Sequence, residues 1–507
     1  MQKMKKRIYW LGWITGVIIV AVSTVYAQGT LHLPQTGQKK CYSSKGDETD
    51  CKGTGQDGET RTGVVWPEPR FTNPDGSAPI TGSVVIDQLT GLMWTRDAGA
   101  PTAGSCVGGR MGWHQAMNYV KCLNGSKYLG YSDWRLPNLN EMESLINFEA
   151  SIVADWLNPQ GFLNVAPEVY WTSTGSGGTS VDVWNVFFLS GLISTSYKWT
   201  YRYLVWPVRT WLSSGSPAPL WKTGQTNTFT AGDDGDLRVG IPWPDPRFTD
   251  HGDGTVTDHL TGLMWTKDSD TPGPPLCNPP EETWQAALDY AACLNTHHYL
   301  GYTDWRLPNK KELFSLIDYS KASPALPAGH PFLNDQKGRY WSSTTFANAT
   351  DYAWFVHSGG RMGGALKSLF NNFFIWPIRT IPIQKDGIDL TGSWNSLNQT
   401  CRKSKSSSRC KIHGTLTIQN IGNQNAPSAV VKFYLSDTGK YDGSEVLLKQ
   451  VTTGRIKVGG AKLKTLTCPL PTGETASGKY LIAVIDPDNG IVETDEKNNT
   501  IVFGLIP

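Results

Sequence analysis

The sequence lacks a surplus of either charge and lacks the signatures of several enzyme classes. Of its 507 residues, 46 are Lys or Arg and 44 are Asp or Glu, so we expect no nucleic-acid partner. It contains no CxxC pair of the kind that binds zinc, and no GxSxG, HExxH or phosphate-binding loop. The sequence therefore gives no support for a zinc site or for these hydrolase and nucleotide-binding classes.

Long apolar stretches are also scarce, and the one at the N-terminus has the pattern of a secretory signal. Basic residues precede an apolar run over residues 8–22, and Val25-Tyr26-Ala27 follows as a small-residue cleavage site. We expect residues 1–27 to be removed, which leaves no stable membrane span and an extracellular, cell-surface or periplasmic protein. The alternative is a retained anchor, since the run is near the lower limit of about 17–25 residues for a membrane span.

A nine-residue stretch occurs twice, as GYSDWRLPN at 130–138 and as GYTDWRLPN at 301–309. It belongs to a longer self-similarity in which TGLMW, YWTST or YWSST, and VWPVRT or IWPIRT recur in the same order. Each copy has the length of a domain rather than of a solenoid unit. We predict a first domain at 28–212, a linker at 213–219 and a second domain at 220–381.

The C-terminal part differs in character from the two copies. Tryptophan occurs there only at position 394, and apolar runs such as GTLTIQNIG and GKYLIAVID are separated by Gly, Pro and Asn turns. Short alternating strands at this spacing predict an all-β, immunoglobulin-like sandwich over residues 386–507.

The nine cysteines fit an oxidising compartment. Two of them recur at identical spacing in both copies, and two other pairs each lie close in sequence. Cys468 is left over, either as a buried thiol or for an intermolecular bond. The predicted disulfides are Cys41–Cys51, Cys106–Cys122, Cys277–Cys293 and Cys401–Cys410.

Between the matched cysteines, apolar residues recur near helical spacing in both copies. They predict an amphipathic helix that ends near the second cysteine and packs on the core. These residues are Trp113, Met117, Val120 and Leu123, and in the second copy Trp284, Leu288, Ala291 and Leu294.

The repeated DWRLPN motif predicts a corner between an extended segment and a helix. Pro137 disfavours helix before it, and Asn138 stands at an N-cap position three residues before Glu141, as in a capping box. Asn309 and Glu312 repeat this arrangement in the second copy.

The arginines of the motif, Arg135 and Arg306, need an acidic or carbonyl partner. We expect a buried ion pair with Asp87 or Asp258. The motif is then a piece of scaffold rather than a catalytic site.

The histidines do not form a site common to both copies. His114 corresponds to Gln285, and His259 corresponds to Gln88. Because general acid–base catalysis needs a group that titrates near neutral pH, we predict no catalytic site shared by the copies. A site unique to one copy remains open.

The ordered motifs TGLMW, DWRLPN with Glu three residues later, YWTST and WPVR resemble the Lcl C-terminal-like domain, a family named after a bacterial collagen-like surface adhesin. The resemblance implies secretion or surface exposure and ligand binding, with glycosaminoglycan recognition and adhesion attributed to the founding member. The RLPxxxE core and the final strand ending in VR also resemble formylglycine-generating-enzyme-like domains, which implies an α+β, C-type-lectin-like fold in both copies. The active cysteines of that enzyme group have no evident counterpart here.

The tail is similar to the cell-adhesion-related bacterial domain CARDB, through GTLTIQNIGNQNA, YLSD and GKYLIAVIDPDNGIVETDEKNN. That resemblance implies an immunoglobulin-like module of cell-surface proteins.

Segments that differ between the copies are candidates for ligand specificity. In the first copy, Tyr197, Trp199 and Tyr201 alternate with Lys198 and Arg202. Aromatic faces stack on sugar rings, and cationic groups bond sulfate or carboxylate. The alternative is a strand whose aromatic face lies in the core.

The second copy has a different sequence in the corresponding segment. There His357, Arg361 and Lys367 lie on a Gly-rich stretch, and this copy need not bind the same ligand.

Two acidic clusters could hold calcium through oxygen ligands. Neither fits the EF-hand pattern, and Asp, Asn and Gly are also ordinary turn residues, so we predict no bound metal as the default. The clusters are Asp250, Asp253 and Asp258, and Asp486, Asp488, Glu493 and Asp495.

The sequence favours a secreted, non-catalytic protein that recognises a polysaccharide or a surface protein and takes part in adhesion. Two alternatives remain: an enzyme derived from a formylglycine-generating-enzyme-like scaffold, and a structural surface component.

Overall fold

The computed structural model describes residues 31–212, 215–277, 283–335, 338–369, 373–381, 387–403, 408–441, 443, 445–470, 475–503 and 506. The predicted signal segment at 1–27 lies outside the described residues. Within the described ranges, no helix is long and apolar enough to cross a membrane.

The part up to residue 212 is mainly β-structure with short helices. Its strands are β1 (Cys41–Tyr42), β2 (Glu48–Thr49), β3 (Phe71–Thr72), β4 (Val84–Asp87), β5 (Leu92–Thr95), β6 (Val169–Gly175), β7 (Asp182–Phe187), β8 (Leu192–Tyr197) and β9 (Val208–Thr210). Its helices are α1 (Asp57–Thr60), α2 (Trp113–Gly125), α3 (Leu139–Ser144) and α4 (Val153–Leu157), with 3-10 turns at Tyr128–Gly130 and Asn158–Gln160.

The second repeat has most of the same elements, but its described residues contain no counterpart of α4. Its strands are β10 (Phe248–Asp250), β11 (Thr255–Asp258), β12 (Leu263–Thr266), β13 (Arg339–Thr345), β14 (Tyr352–His357), β15 (Met362–Leu366), β16 (Phe373–Phe374) and β17 (Ile378–Thr380). Its helices are α5 (Asp234–Leu237), α6 (Trp284–Thr296) and α7 (Lys310–Ser315), with 3-10 turns at Pro275–Cys277 and Tyr299–Gly301.

The C-terminal part is all-β apart from a 3-10 turn at Glu496–Asn498, as the sequence predicts. A three-stranded sheet (β18-β19-β22) and a four-stranded sheet (β21-β20-β23-β24) share an apolar core of their own. The strands are β18 (Leu390–Lys403), β19 (Ser408–Asn420), β20 (Val430–Ser436), β21 (Val446–Thr452), β22 (Ala461–Pro469), β23 (Tyr480–Ile485) and β24 (Thr500–Phe503).

A seven-stranded sheet joins the two repeats. Its strand order is β16-β13-β14-β15-β8-β7-β6, and the repeats meet where Met362 of β15 pairs with Ile193 of β8. Each repeat adds a four-stranded antiparallel sheet, β3-β4-β5-β9 in the first and β10-β11-β12-β17 in the second. One continuous apolar core contains residues of both repeats, so they form a single packed body. The finer expectation of a C-type-lectin-like fold stays a prediction.

The segment before the first repeat crosses to the second repeat. We call residues 31–66 strap 1. Within it, the buried Asp57 carboxylate accepts hydrogen bonds from Thr36 of the strap, at 2.7 Å, and from Thr344 on β13, at 2.7 Å. Strap 1 also contacts its own repeat, where Phe148 donates its backbone N–H to Thr36. Strap 1 therefore lies between the repeats.

The segment before the second repeat makes the reciprocal crossing. We call residues 220–243 strap 2. Its buried Asp234 accepts hydrogen bonds from Thr223 of the strap, at 2.6 Å, and from Thr174 on β6 of the first repeat, at 2.7 Å. Each strap therefore contacts the opposite repeat, although it precedes its own repeat in the sequence. We call this arrangement the exchange of straps.

A buried ion cluster lies at the same junction. Glu143 of α3 accepts from Lys310 and Lys311 of α7, each at 2.9 Å, and all three side chains are buried. Burial opposes the charge on Glu143, but the two ammonium groups outweigh it and lower its pKa. The first copy has Leu139 and Asn140 at the positions of the lysines, so this contact exists once.

The DWRLPN corner forms as predicted in both repeats. Asn138 caps α3 and accepts from the backbone N–H of Glu141 at 3.0 Å, and the Glu141 carboxylate accepts from the Asn138 N–H at 2.9 Å. Asn309 and Glu312 make the same capping box on α7. The predicted helices between the cysteines are α2 and α6, which confirms that expectation.

The prediction that Arg135 and Arg306 pair with Asp87 or Asp258 is wrong. The guanidinium of Arg135 binds Glu141, with Nη2 2.6 Å from Oε1, and Arg306 binds Glu312, with the same atoms 2.7 Å apart. The capping glutamate lies within reach of the arginine six residues earlier, so the pair is local.

The aspartates expected to pair with these arginines form ion pairs with two other arginines. Asp87 pairs with Arg70 through two hydrogen bonds of 2.9 and 2.8 Å, and Asp258 pairs with Arg247 through two of 3.0 Å. Both arginines come directly before the first strand of their four-stranded sheet, beside the strand that carries the aspartate.

All four predicted disulfides are present, and Cys468 is a buried free thiol. The cysteine spacing alone was sufficient to predict these four pairs, because the two cysteines of each pair are close in sequence.

Candidate ligand-binding site

Three aromatic side chains of the first repeat are exposed at the end of β8 and in the segment after it. Trp199 is 66% exposed, Tyr197 54% and Tyr201 44%, so the alternative of an aromatic face buried in the core does not hold for them. The Tyr201 ring stacks on Tyr203 at 5.6 Å, and Trp199 lies 5.8 Å from the His114 ring. We call Tyr197, Trp199 and Tyr201 the aromatic ridge.

Arg202 lies next to this ridge on the surface. Its guanidinium donates to Gln115 of α2 at 3.3 Å, and the side chain remains exposed. The predicted role of Arg202 as a cation beside exposed aromatics is therefore compatible with its position.

Lys198 does not lie where the sequence prediction requires. It is 2% exposed, and its ammonium group donates to the carbonyl of Ser180 at 2.8 Å and lies 3.6 Å from the centre of the Phe229 ring. Burial lowers the pKa of Lys198 to about 8. Lys198 therefore contacts strap 2 and does not face a surface ligand, which corrects the prediction that it is a ligand-binding residue.

Lys367 occupies the equivalent position in the second repeat and requires the same correction. Its ammonium group is buried, donates to the carbonyls of Tyr42 and Ser43 at 3.2 Å each, and lies 4.2 Å from the Trp284 ring centre. Burial lowers its pKa to about 7. Lys367 therefore anchors strap 1, just as Lys198 anchors strap 2.

A groove opens where the two repeats meet. We call it the junction groove; its volume is about 630 Å³. Its lining includes the predicted residues His357 and Arg361, and two cationic residues that sequence reasoning missed, Lys321 and Arg339. Of the described residues that line it, Asp182 is the only acidic one. The groove therefore carries a positive charge.

The cationic side chains of the groove have weak partners. Arg361 donates to Thr195 of β8 at 3.3 Å, and the Arg339 guanidinium lies over the Phe355 ring at 5.3 Å. Among the described residues, neither arginine forms an ion pair, nor does Lys321. These groups keep hydrogen-bonding capacity for an anionic ligand.

His357 lies among these cations. Its Nδ1 accepts from the backbone N–H of Gly359 at 2.9 Å. Burial, and then the charges of Arg339 and Arg361, lower the pKa of His357 below its usual value. At neutral pH, His357 therefore contributes a neutral, polar ring.

The junction groove and the aromatic ridge adjoin each other along β8. Thr195 lines the groove, and Tyr197 lies two residues further on the same strand and hence on the same face. Tyr197 also pairs across the ladder with Asp182, another groove residue. A difference between the two copies could have indicated Arg339 as a candidate from sequence, because the first repeat has Val169 at the equivalent position.

The proposed calcium ligands are not brought together. Asp258 is taken by Arg247, Asp250 binds Lys267 at 2.6 Å, and Asp253 accepts from Thr255. In the tail, Asp488 binds Lys432, Asp486 accepts from the Ile491 N–H, and Glu493 accepts from Leu390.

In the described part of the chain, the only His, Cys, Asp or Glu side chains whose ligand atoms lie within 4.8 Å of one another in a group of three or more are Cys277, Cys293 and His297. Neither acidic cluster meets this condition. The two sulfurs of the group that does are joined as a disulfide, so they are not thiolate ligands.

The architecture defines a class of protein built from two related β-rich repeats that share one core, followed by an all-β module. The chain contains two Lcl C-terminal domains, at residues 83–209 and 254–379, and a CARDB domain at 395–503. These domains indicate a surface or adhesion-related protein.

Two solved structures of a CARDB domain are similar to part of this chain. One is a crystal structure of the CARDB domain of a Pyrococcus furiosus protein in complex with di-metal ions, at 24% identity, and another is a solution NMR structure of the same domain, at 22%. They cover 23% of this chain and 91% and 93% of theirs, each with a TM-score of 0.15. No curated protein matches the chain.

Proposed function

We propose that this protein is an extracellular, non-catalytic adhesion protein that binds an acidic polysaccharide along the junction groove and the aromatic ridge. The observation that carries the proposal is the groove itself, in which Lys321, Arg339 and Arg361 face one acidic side chain, Asp182. The resemblance to adhesin-type domains and the four disulfides support a location outside the cytoplasm.

The two surfaces complement each other chemically. Guanidinium groups bond carboxylate or sulfate in pairs, and exposed aromatic rings pack against the apolar faces of sugars. Because Tyr197 borders the groove, a chain of sugars can contact both surfaces at once. A polysaccharide fits this extended arrangement better than a small ligand, which would need an enclosed pocket.

Two features support a binding role over an enzyme. The matched cysteines are engaged in disulfides, and within the described residues the His357 ring is hydrogen-bonded by a backbone N–H, that of Gly359, rather than by a titratable side chain. The C-type-lectin-like fold of the repeats is part of the same proposal and rests on the resemblance of the RLPxxxE core.

A glycan array that includes sulfated and carboxylated chains, probed with residues 28–507, tests the proposal. Loss of one charge-assisted hydrogen bond typically costs about 1.5–3 kcal/mol, so Arg361→Ala should weaken binding by about tenfold or more. Trp199→Ala should also weaken it, through the lost aromatic face. Binding should fall as salt is raised, because exposed charges are screened.

Two matched variants serve as controls. Arg402→Ala removes an exposed arginine of the tail, and Trp211→Ala removes an exposed tryptophan outside the ridge. Neither should change affinity. Absence of binding to every glycan would remove the polysaccharide proposal, and equal effects of Arg361→Ala and Arg402→Ala would place the site elsewhere.

A further inference from the structure

The disulfide of the second repeat has an imidazole beside it. His297 Nδ1 lies 3.5 Å from Sγ of Cys293 and 3.6 Å from Sγ of Cys277. The same nitrogen lies 3.0 Å from the carbonyl oxygen of Cys293, one helical turn earlier, which holds the ring at the end of α6. The ring nitrogen is therefore in contact with both sulfurs.

The first repeat provides the same disulfide without an imidazole. Cys106–Cys122 has the same sequence separation of 16 residues, and its second cysteine lies at the same place on α2. Ser126 stands at the position of His297, and its hydroxyl donates to the Leu123 carbonyl at 3.0 Å. The chain thus contains an internal control.

The two sulfurs of the second disulfide differ in access. Cys277 is 5% exposed, whereas Cys293 has intermediate exposure on the surface of α6. An incoming nucleophile reaches Cys293 first, and the sulfur it displaces is the buried Cys277. A thiolate left in that position is costly unless it receives a proton.

We propose that Cys293 is a modification site for a small aliphatic thiol, with His297 as the proton donor. The thiolate attacks Sγ of Cys293, forming a new sulfur–sulfur bond as the Cys293–Cys277 bond breaks. The electron pair leaves on Sγ of Cys277, which takes the proton from Nδ1 of the His297 imidazolium.

The atoms and electrons balance without a further oxidant. The attacking thiol has released its proton to solvent, and the imidazole recovers one from solvent. The products are a mixed disulfide on Cys293 and a free thiol at Cys277. Histidine suits this role because it exchanges protons near neutral pH.

The test exposes the full chain to reduced glutathione near neutral pH, quenches with an alkylating agent and maps the peptides by mass spectrometry. Because a general acid typically contributes about 100-fold or more, the adduct on Cys293 should form about 100 times faster than the adduct on Cys122. His297→Ser should slow the Cys293 reaction to the Cys122 rate, and Ser126→His should accelerate the Cys122 reaction.

Four results would overturn the inference: equal rates at the two disulfides, an unchanged Cys293 rate in His297→Ser, an unchanged Cys122 rate in Ser126→His, or an adduct on Cys277 rather than Cys293. The Ser126→His variant keeps the test decisive if His297→Ser folds poorly, since it adds the imidazole to a different repeat.

Discussion

Asp57 and Asp234 are equivalent buried carboxylates, one in each strap. Each accepts from a threonine of its strap and a threonine of the opposite repeat. Burial raises the pKa of each from 3.8 to about 6, although the threonine hydroxyls oppose this shift. Protonation of these residues is therefore linked to the docking of the straps.

The sign of the pH dependence follows from that raised pKa. The folded state binds protons that the unfolded state releases, so the stabilisation is full below pH 3.8 and is lost as pH rises through about 6. A shift of this size corresponds to about 3 kcal/mol per carboxylate.

We therefore expect Asp57→Asn to change the pH profile of stability. Between pH 4 and 7, the free energy of unfolding of the wild type should decrease by about 2 kcal/mol relative to the variant. Denaturant titrations at several pH values measure this difference. Asp155→Asn, at an exposed position, should leave the profile unchanged. Parallel profiles for wild type and Asp57→Asn would contradict the prediction.

Arg135 shows what sequence could and could not predict for a single side chain. Its need for an acidic partner was predictable, because a buried guanidinium must be paired. Its choice of Glu141 over Asp87 depended on where the corner directs the side chain, and on Arg70 already binding Asp87. Side-chain direction is a property of the packed corner, not of the spacing.

At the scale of elements, the straps make each repeat incomplete without its neighbour. Strap 1 reaches the second repeat through Asp57 and Lys367, and strap 2 reaches the first through Asp234 and Lys198. A fragment that contains one repeat, cut at the predicted linker, keeps the strap that precedes that repeat in the sequence. It loses the other strap, which packs against that repeat.

We expect fragments 28–212 and 215–381 to be poorly folded when each is expressed alone, because each exposes part of the shared core. When co-expressed, they should form a one-to-one complex with native β-structure. Size-exclusion chromatography and circular dichroism measure both outcomes. Independent folding of either fragment, with no association on mixing, would contradict the packing of each strap against the opposite repeat.

The elements themselves were largely predictable from sequence. Helices α2 and α6 follow from apolar spacing, and α3 and α7 follow from their capping boxes. The exchange of straps was not predictable, because strap 1 and strap 2 have similar sequences and nothing in either specifies which repeat it contacts.

At the scale of the whole molecule, the packing divides the chain into two bodies rather than three. One apolar core spans both repeats, and a separate core lies in the tail. Sequence reasoning divides the same chain into three domains, because it follows the repeat boundaries.

Calorimetry of residues 28–507 should therefore show two unfolding transitions, one for the paired repeats and one for the tail. Deleting residues 386–507 should remove one transition and leave the other at the same temperature. Three separate transitions in the full chain would show that the repeats unfold independently and would contradict a shared core.

The sequence by itself determined the local features of this protein: the duplication, the four disulfides, the capped corners, the all-β tail and the resemblance to adhesion-related domains. These depend on residues close in the chain, whose spacing fixes which groups can meet. Only the tertiary structure decided the burial of Lys198 and Lys367 and the groove between the repeats. Each arises from packing between distant or differently oriented segments, which sequence spacing does not specify.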